Sequence, residues 1–316
     1  MTSFVPWGHS IGPRPTPPQA WSLIAAPILT SPWAGRSVSP LEDEYHAVPA
    51  VGDGRPAIAD IHRRCDALLA SGWRRVEIAA QVTESGECLP IHAYCNSTSV
   101  DRVLIGGIHG REPAGAIALA AYTGRLRELG ESQDVLLLPL LNPWGYSRHL
   151  RYGPSGQSVS DSDHVLGRAA APACPEAAAI TAFVLDAVRI NPGSAVLDLH
   201  EDPVYEAPEY HLEGRGSYLY VSGDGGLAHP VARRVYRCLE ASSLPLVKEG
   251  VTRFGERLVD GVVVDTEDGS IDELLAKKCA CSPVITVEIA LRTETTPPLS
   301  ERVSTYVEVL DAFFGP

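Results

Sequence analysis

The sequence predicts an α/β fold in which a mixed, mostly parallel central sheet is flanked by helices and preceded by an extended N-terminal arm. Three observations lead to this prediction. Apolar residues make up 45% of the chain and charged residues 21%, which is typical of a globular protein with a sizeable core. Beyond Pro56, short apolar segments alternate with longer helix-like segments, as in βαβ units. Before Pro56, proline is frequent enough to interrupt any regular element.

The arm comprises residues 1–56. Proline fixes φ and lacks a backbone N–H, so this stretch cannot form a regular helix or a central strand. Trp7, Trp21 and Trp33 lie within it, and such large aromatic side chains favour packing across the body over disorder. The remainder shows neither an internal repeat nor a linker, and we therefore predict one domain over residues 57–316.

The body begins with an amphipathic helix over residues 58–70, which Ser71-Gly72 ends. Two strands over 75–82 and 89–94 follow, joined by the turn Glu84-Ser-Gly-Glu. Elements then alternate, with predicted strands at 103–108, 135–141, 195–199, 218–222 and 284–289, and predicted helices at 113–129, 175–189, 227–242 and 300–314. This alternation predicts parallel strands joined by crossover helices.

The net charge of −13 predicts an acidic surface that would repel a polyphosphate backbone, so nucleic-acid binding is not expected. No segment approaches the roughly 18 consecutive apolar residues that a membrane-spanning helix requires. The N-terminus lacks the basic patch and apolar core of a secretory signal. We therefore expect a cytoplasmic protein that binds neither nucleic acid nor membrane.

The seven cysteines are an odd number in a long chain without an export signal, so a disulfide framework is not expected. Cys279 and Cys281 form a C-x-C pair, but a structural zinc site usually has a second pair. We interpret the cysteines as ordinary thiols.

The first candidate for chemistry is the segment 105–113, which reads I-G-G-I-H-G-R-E-P and connects a predicted strand to a predicted helix. In an open α/β sheet, ligands bind beyond the carboxyl ends of the strands. His109 and Glu112 lie three residues apart on a tight turn, so both can point at one ion, and both suit zinc. The glycines of the segment, including Gly110, leave room for the backbone to approach a substrate.

A second predicted strand, residues 195–199, also ends in a histidine, His200. Asp198 precedes it by two residues and points to the same side of the strand, where it could orient the His200 ring. A catalytic zinc site has three protein ligands and leaves the fourth position open. The sequence therefore predicts that His109, Glu112 and His200 hold one zinc ion per chain.

These motifs, together with the turn Asn142-Pro-Trp-Gly and the segment Thr286-Val-Glu288, occur in the order seen in the zinc carboxypeptidase superfamily. The chain resembles that superfamily from about residue 103 to residue 289. The superfamily also includes deacylases of the aspartoacylase and succinylglutamate desuccinylase type and bacterial murein-peptide amidases. The resemblance implies a metallohydrolase in which the three candidate ligands bind zinc and Glu288 is the general base that activates water.

The resemblance also implies an arginine nine positions after Asn142, and Arg151 stands there. A fixed guanidinium would stabilise the oxyanion of a tetrahedral intermediate. Arg148 is the alternative to Arg151, and Glu294 is the alternative to Glu288 as the base. We count Asn142 and Arg148 among the candidate substrate-binding residues.

The chain departs from the family where a segment like Asp-Leu-Asn-Arg normally clamps a substrate carboxylate. The corresponding stretch, 158–164, reads S-V-S-D-S-D-H and is a few residues longer. Asp163 and His164 stand where asparagine and arginine would, and Asp163 would repel a carboxylate and attract an amine. We therefore expect Asp163 and His164 to contact the substrate, and we do not expect that substrate to need the carboxylate that the family usually binds.

The sequence leaves three functions open. The first is a zinc peptidase or amidase of the carboxypeptidase type that cleaves a small peptide or amide. The second is a zinc deacylase of a small N-acyl amino acid. The third is a non-enzymatic binding protein that retains the fold, although inactive family members often lose a residue of the ligand and base set, which is complete here. The oligomeric state is not indicated by the sequence.

Overall fold

The computed structural model describes residues 53–156, 174–203, 216–244, 246–252, 256–263, 270–291 and 297–315. The predicted arm before residue 53 lies outside these ranges, as do the candidate residues Asp163, His164 and Glu294.

The described strands and helices alternate along much of the chain. The strands are β1 (Arg74–Val82), β2 (Cys88–Cys95), β3 (Ser99–Gly106), β4 (Val135–Leu138), β5 (Arg189–Pro203), β6 (Tyr218–Ser222), β7 (Glu249–Val251), β8 (Arg257–Val259), β9 (Val262–Val263) and β10 (Val284–Leu291). The α-helices are α1 (Ile58–Asp66), α2 (Pro113–Ala121), α3 (Thr123–Leu129), α4 (Pro143–Arg148), α5 (Pro175–Ala182), α6 (Pro230–Ala241), α7 (Ile271–Lys278) and α8 (Leu299–Phe314).

The described strands form one sheet in the order β1-β2-β4-β3-β5-β10-β6-β9-β8-β7. Its centre, β4-β3-β5-β10, is parallel, so the carboxyl ends of these four strands lie at one edge. Antiparallel pairs predominate outside the centre, at β1–β2–β4, β10–β6 and β7–β8–β9. The predicted mixed α/β class is confirmed. The parallel strands lie at the centre of the sheet, and helices occur in the crossover segments that connect them.

The central strands are apolar on both faces because helices cover both faces. Val103, Leu104 and Ile105 of β3 are all fully buried. Leu104 packs into one core cluster, to which α1, α2, α6 and α8 contribute, whereas Val103 and Ile105 pack into a second cluster with α5 and α7. This two-sided burial explains why the sequence shows continuous apolar runs rather than alternation.

Several boundaries differ from the prediction. The helix expected over 113–129 is divided at Tyr122 into α2 and α3, and the one expected over 175–189 ends at Ala182 and continues as a π-helical turn, Phe183–Ala187. Helices α4 and α7 and strands β7, β8 and β9 were not predicted. These are elements of two to eight residues, and such lengths give a periodic pattern too few positions to be recognised.

The seven cysteines all lie within the described residues, and none of them forms a disulfide there. None of the described helices is long and apolar enough to cross a membrane.

Candidate metal centre

The site forms at the carboxyl edge of the parallel centre, where β3 ends at Gly106 opposite Leu199 of β5, while β5 itself continues to Pro203. Beyond Gly106, the last residue of β3, a turn brings the chain to Pro113, the first residue of α2. This turn carries His109 and Glu112, and Glu112 N donates a hydrogen bond to His109 O at 3.1 Å. His200 lies on the neighbouring strand β5, so two chain segments 91 residues apart meet here.

The side chains of His109, Glu112 and His200 converge on one point. Glu112 Oε2 lies 2.9 Å from His109 Nδ1 and 3.2 Å from His200 Nδ1, and the two Nδ1 atoms are 3.2 Å apart. The three residues are 3%, 2% and 6% exposed, respectively. Among the described residues, this is the single group of three or more His, Cys, Asp or Glu side chains close enough together to hold a metal ion.

The triangle of ligand atoms fits a small divalent ion. Ligand atoms at about 2.0–2.1 Å from a tetrahedral zinc ion lie about 3.3 Å apart. The observed edges of 2.9, 3.2 and 3.2 Å are close to this separation. Imidazole nitrogen and carboxylate oxygen form the mixed donor set found in catalytic zinc sites with two histidines and one glutamate. The residues present therefore fit a metal ion.

The charges within this group are mutually dependent. Burial by itself would raise the pKa of Glu112, but His109 and His200 hold it well below its usual range. Burial by itself would lower the pKa of His200, but Asp198 and Glu112 hold it well above its usual range. The buried Glu112 carboxylate is thus stabilised by nearby positive charge, and a metal ion could supply such charge in this position.

Asp198 occupies the position expected of a residue that orients a metal ligand. It is fully buried, and its Oδ1 lies 3.3 Å from His200 Nε2, on the side of the ring opposite to Nδ1. Because Asp198 faces Nε2, the Nδ1 atom of His200 is directed toward His109 and Glu112. The side chain of Asp198 therefore fixes which nitrogen faces the metal position.

Glu288 lies beside His109, Glu112 and His200, the three candidate ligands that form the ligand group. Strand β10 runs parallel to β5 with Glu288 in register with His200, and paired residues of adjacent strands point to the same face. Burial raises the pKa of Glu288 well above its usual range; His200 opposes this effect, and the carboxylates Glu112 and Asp202 add to it. A carboxylate with a raised pKa is suited to accept a proton from water near neutral pH.

Arg151 also reaches the group. One of its guanidinium nitrogens donates to Glu112 Oε1 at 3.2 Å, and its side chain is 12% exposed. The Arg151 carbonyl accepts hydrogen bonds from Gly110 N at 3.3 Å and from Asn142 Nδ2 at 3.0 Å. The segment that carries Arg151 is therefore attached to the turn that carries two of the candidate ligands, His109 and Glu112.

Asn142 has its polar atoms engaged within the protein. It is fully buried, and its Oδ1 accepts from Gly145 N at 2.9 Å, which caps α4, and from Gln81 Nε2 at 3.1 Å. Its Nδ2 donates to the carbonyl of Arg151. In the structure Asn142 therefore positions the backbone of α4 and of Arg151, and the substrate contact expected from the sequence stays a prediction.

Arg148 lies on the surface of α4 rather than at the ligand group. It forms an ion pair with Glu84, and its guanidinium stacks on the Trp144 ring at 4.6 Å from the ring centroid. Of the two arginines considered from the sequence, the structure thus brings Arg151 and not Arg148 to the ligands. Asp163, His164 and Glu294 lie outside the described residues.

Sequence reasoning missed the contacts that hold the ligand turn in place. Arg55 donates one guanidinium nitrogen to both Gly110 O at 2.8 Å and Tyr146 O at 2.9 Å, so it joins the turn to α4. Gln81 Oε1 accepts from Trp144 N at 2.8 Å and supports the same helix from β1. A polar side chain buried on a strand, such as Gln81 at 1% exposure, has no distinguishing sequence signal.

Glu201 was also missed as part of the site, although it follows His200 directly. Its backbone N–H donates to Glu112 Oε2 at 3.2 Å, and its side chain is fully buried against Arg302 of α8. The sequence shows an acidic residue next to a ligand, but nothing in it indicates that an arginine about a hundred positions later would pair with it.

Tyrosines and carboxylates continue the face of the sheet beyond Glu288. Tyr218 on β6 is in register with Glu288, and its hydroxyl donates to Asp202 Oδ2 at 3.0 Å. The Tyr220 hydroxyl donates to Glu256 Oε2 at 2.5 Å. The side of the site next to the base is therefore polar and acidic.

No protein-family model matches the chain, and no curated protein matches it. Several solved structures, by contrast, match the fold of this chain. A candidate metallopeptidase from Shewanella baltica OS155 superposes with a TM-score of 0.64 over 81% of this chain and 91% of its own, at 18% identity. A candidate metallopeptidase from Shewanella amazonensis SB2B gives 0.63 over 81% and 92%, also at 18% identity. A metallo-carboxypeptidase from Burkholderia cenocepacia gives 0.50 over 79% and 67%, at 16% identity.

These likenesses lie at the level of fold, since identity is below a fifth in each case. They cover most of this chain, and they agree with the fold class predicted from the sequence. The described chain therefore has the fold of metallopeptidases of the zinc carboxypeptidase type.

Proposed function

We propose that this chain is a zinc-dependent hydrolase that cleaves an amide bond of a peptide-like substrate, as metallocarboxypeptidases and amidases do. The observation that supports the proposal most directly is the buried triangle of His109, Glu112 and His200 with Glu288 in register beside it. The names of the structurally similar proteins, metallopeptidases and a metallo-carboxypeptidase, point to the same class of reaction.

The three ligands would hold zinc, which supplies Lewis acidity and lowers the pKa of water at an open coordination position. Glu288 would accept the proton that water loses as it attacks the substrate carbonyl. The same carboxyl group would then deliver that proton to the leaving amine. The raised pKa of Glu288 agrees with a group that must both take and release a proton near neutral pH.

Arg151 would supply positive charge to the substrate oxygen as it becomes an oxyanion. Its guanidinium already lies at the ligand group through Glu112, and its backbone is fixed by Gly110 and Asn142. A cation fixed before the reaction stabilises developing negative charge without the cost of reorganisation.

Metal analysis and turnover of single-site variants test the proposal. We expect about one zinc per chain in the wild type, because three protein ligands are typical of a catalytic site. His109→Ala should lose zinc and activity. Glu288→Gln should keep zinc and lose turnover by at least about 10²-fold, since it removes proton transfer but no ligand.

His229→Ala is the matched control for His109→Ala. The His229 side chain caps α6 by accepting from Val231 N at 3.3 Å, so its loss should not change the zinc content. A wild-type chain without zinc under metal-replete conditions would contradict the proposal.

The substrate class is tested by a panel that pairs short peptides and peptide amides with N-acyl amino acids. Preferential hydrolysis of the peptides and amides supports the proposal, whereas preferential hydrolysis of the N-acyl amino acids would indicate the deacylase. Bound zinc without hydrolysis of any member would indicate a binding protein instead.

A further inference from the structure

The C-terminal helix α8 contacts the metal centre although it contributes no ligand. Two of its buried side chains, Arg302 and Tyr306, reach the end of β5 where His200 and Glu201 lie. They are four residues apart and therefore lie on the same side of the helix, one turn from each other.

Arg302 acts on the centre through Glu201. The Arg302 Nε donates to Glu201 Oε1 at 2.6 Å, and the two side chains are 7% and 0% exposed. The other oxygen of Glu201 accepts from Ala114 N at 2.8 Å, two residues after the ligand Glu112. The backbone N–H of Glu201 donates to Glu112 Oε2 at 3.2 Å. Glu201 thus fixes both the start of α2 and the ligand carboxylate.

Glu201 depends on Arg302 for this arrangement. A carboxylate buried without a compensating cation is strongly disfavoured, so without Arg302 the Glu201 side chain would leave this position. Arg302 supplies the cation, and it is itself held by a hydrogen bond from its guanidinium to Pro297 O at 2.7 Å.

Tyr306 acts on the second ligand. Its hydroxyl is fully buried and donates to the backbone carbonyl of His200. The same hydroxyl lies 3.5 Å from the carbonyl of Val287, the residue before Glu288. One oxygen atom therefore lies between the backbone that carries a ligand and the backbone that carries the proposed base.

We propose that Arg302 and Tyr306 are positioning residues that set the metal affinity of the centre from outside its ligand set. This proposal rests on the proposed function, in that the ion is taken to be zinc. Groups that orient metal ligands typically change metal affinity about 10- to 100-fold when removed. Loss of either side chain leaves His109, Glu112 and His200 chemically intact, so any change in affinity would come from their placement.

The chain offers matched controls at the far end of the same helix. Arg234 of α6 donates from Nε to Ala312 O at 2.9 Å, and the Tyr122 hydroxyl donates to Asp311 Oδ1 at 2.7 Å. These contacts also attach α8 to the body, but they involve neither β5 nor a ligand. Their removal reports the effect of loosening the helix alone.

The test compares four variants, each as the full-length chain: Arg302→Met and Tyr306→Phe against Arg234→Met and Tyr122→Phe. The zinc dissociation constant is measured by competition with a chromogenic chelator, and the melting temperature of the metal-free protein is measured in parallel. We expect zinc affinity to fall about 10- to 100-fold in the first pair and to stay within about twofold in the second. Arg302→Lys, which keeps the charge, should recover part of the affinity.

Tyr306→Phe removes one oxygen atom and keeps the packing of the ring, so it serves as the decisive variant if Arg302→Met does not fold. Equal zinc affinities in the two pairs, with zinc bound by the wild type, would overturn the positioning role and leave the proposed function standing. A wild-type chain that binds no zinc would overturn both.

Discussion

Gly110 lies between two proposed ligands, and its replacement by alanine gives a direct test of how the ligand turn is held. A Cβ atom at this position would lie 1.9 Å from the carbonyl carbon of Gly145 and 2.1 Å from Tyr146 N. Both contacts are with the backbone of α4, so no side-chain rotation can relieve them. The structure gives a reason for glycine at this position that the sequence did not show, since the missing Cβ lets α4 approach the turn.

The size of the effect follows from these distances. Ordinary contact begins at 3.4 Å, so the turn and α4 must separate by about 1.5 Å. Overpacking of this kind costs about 1–3 kcal/mol, and a backbone clash belongs near the upper limit. A loss of about 3 kcal/mol in the free energy of unfolding would lower the melting temperature by roughly 6–12 °C in a domain of this size. The same displacement moves His109 and Glu112, and an error of about 1 Å can cost about 10²-fold in rate.

The assay combines thermal unfolding of the metal-free protein with zinc titration. Gly124→Ala is the control, because Gly124 lies in the short helix α3 and a Cβ atom added there would meet no other atom within 4 Å. Alanine there should be neutral or should stabilise by up to about 1 kcal/mol. If Gly110→Ala retains the melting temperature and zinc affinity of the wild type, the close packing of turn and helix does not position the ligands.

The remaining predictions concern one buried histidine and the two candidate arginines. Burial lowers the pKa of His92 from its usual 6.5 to about 4, so the folded protein resists protonation that the unfolded chain accepts. The free energy of unfolding should therefore fall by up to about 3 kcal/mol as the pH drops from about 6.5 toward 4. In denaturant titrations, His92→Gln should flatten this dependence on pH. An unchanged dependence would exclude His92 as its source. Arg148→Ala should change the free energy of unfolding by less than about 1 kcal/mol, because its partner Glu84 is exposed, and should leave kcat/KM nearly unchanged. Arg151→Ala should lower kcat/KM by about 10²- to 10³-fold, and equal effects of the two substitutions would refute the assignment of Arg151.

The sequence by itself predicted the α/β class and placed the candidate ligands at strand ends. It could do so because these features are local. The cores of β3, β5 and β10 are rich in apolar residues, and His109 and Glu112 are three residues apart on one turn. The placement of His200 and Glu288 required only that parallel strands end at one edge of the sheet.

Short or irregular elements were not predictable in the same way. Strands β7, β8 and β9 are two or three residues long, and their pairing with one another stabilises them more than any pattern within each. The division between α2 and α3 at Tyr122 likewise depends on packing, since the Tyr122 ring stacks on Phe314 of α8.

The tertiary structure alone decided how the candidate ligands are supported. Asn142 and Gly110 belong to motifs visible in the sequence, but only the structure shows that they hold the backbone of the turn and of α4 together. Arg302 and Tyr306 carry no motif, because their role depends on partners 101 and 106 residues away. A metal site needs its donor types, which the sequence displays, but it also needs those donors held within a fraction of an ångström, and only packing between distant segments provides that.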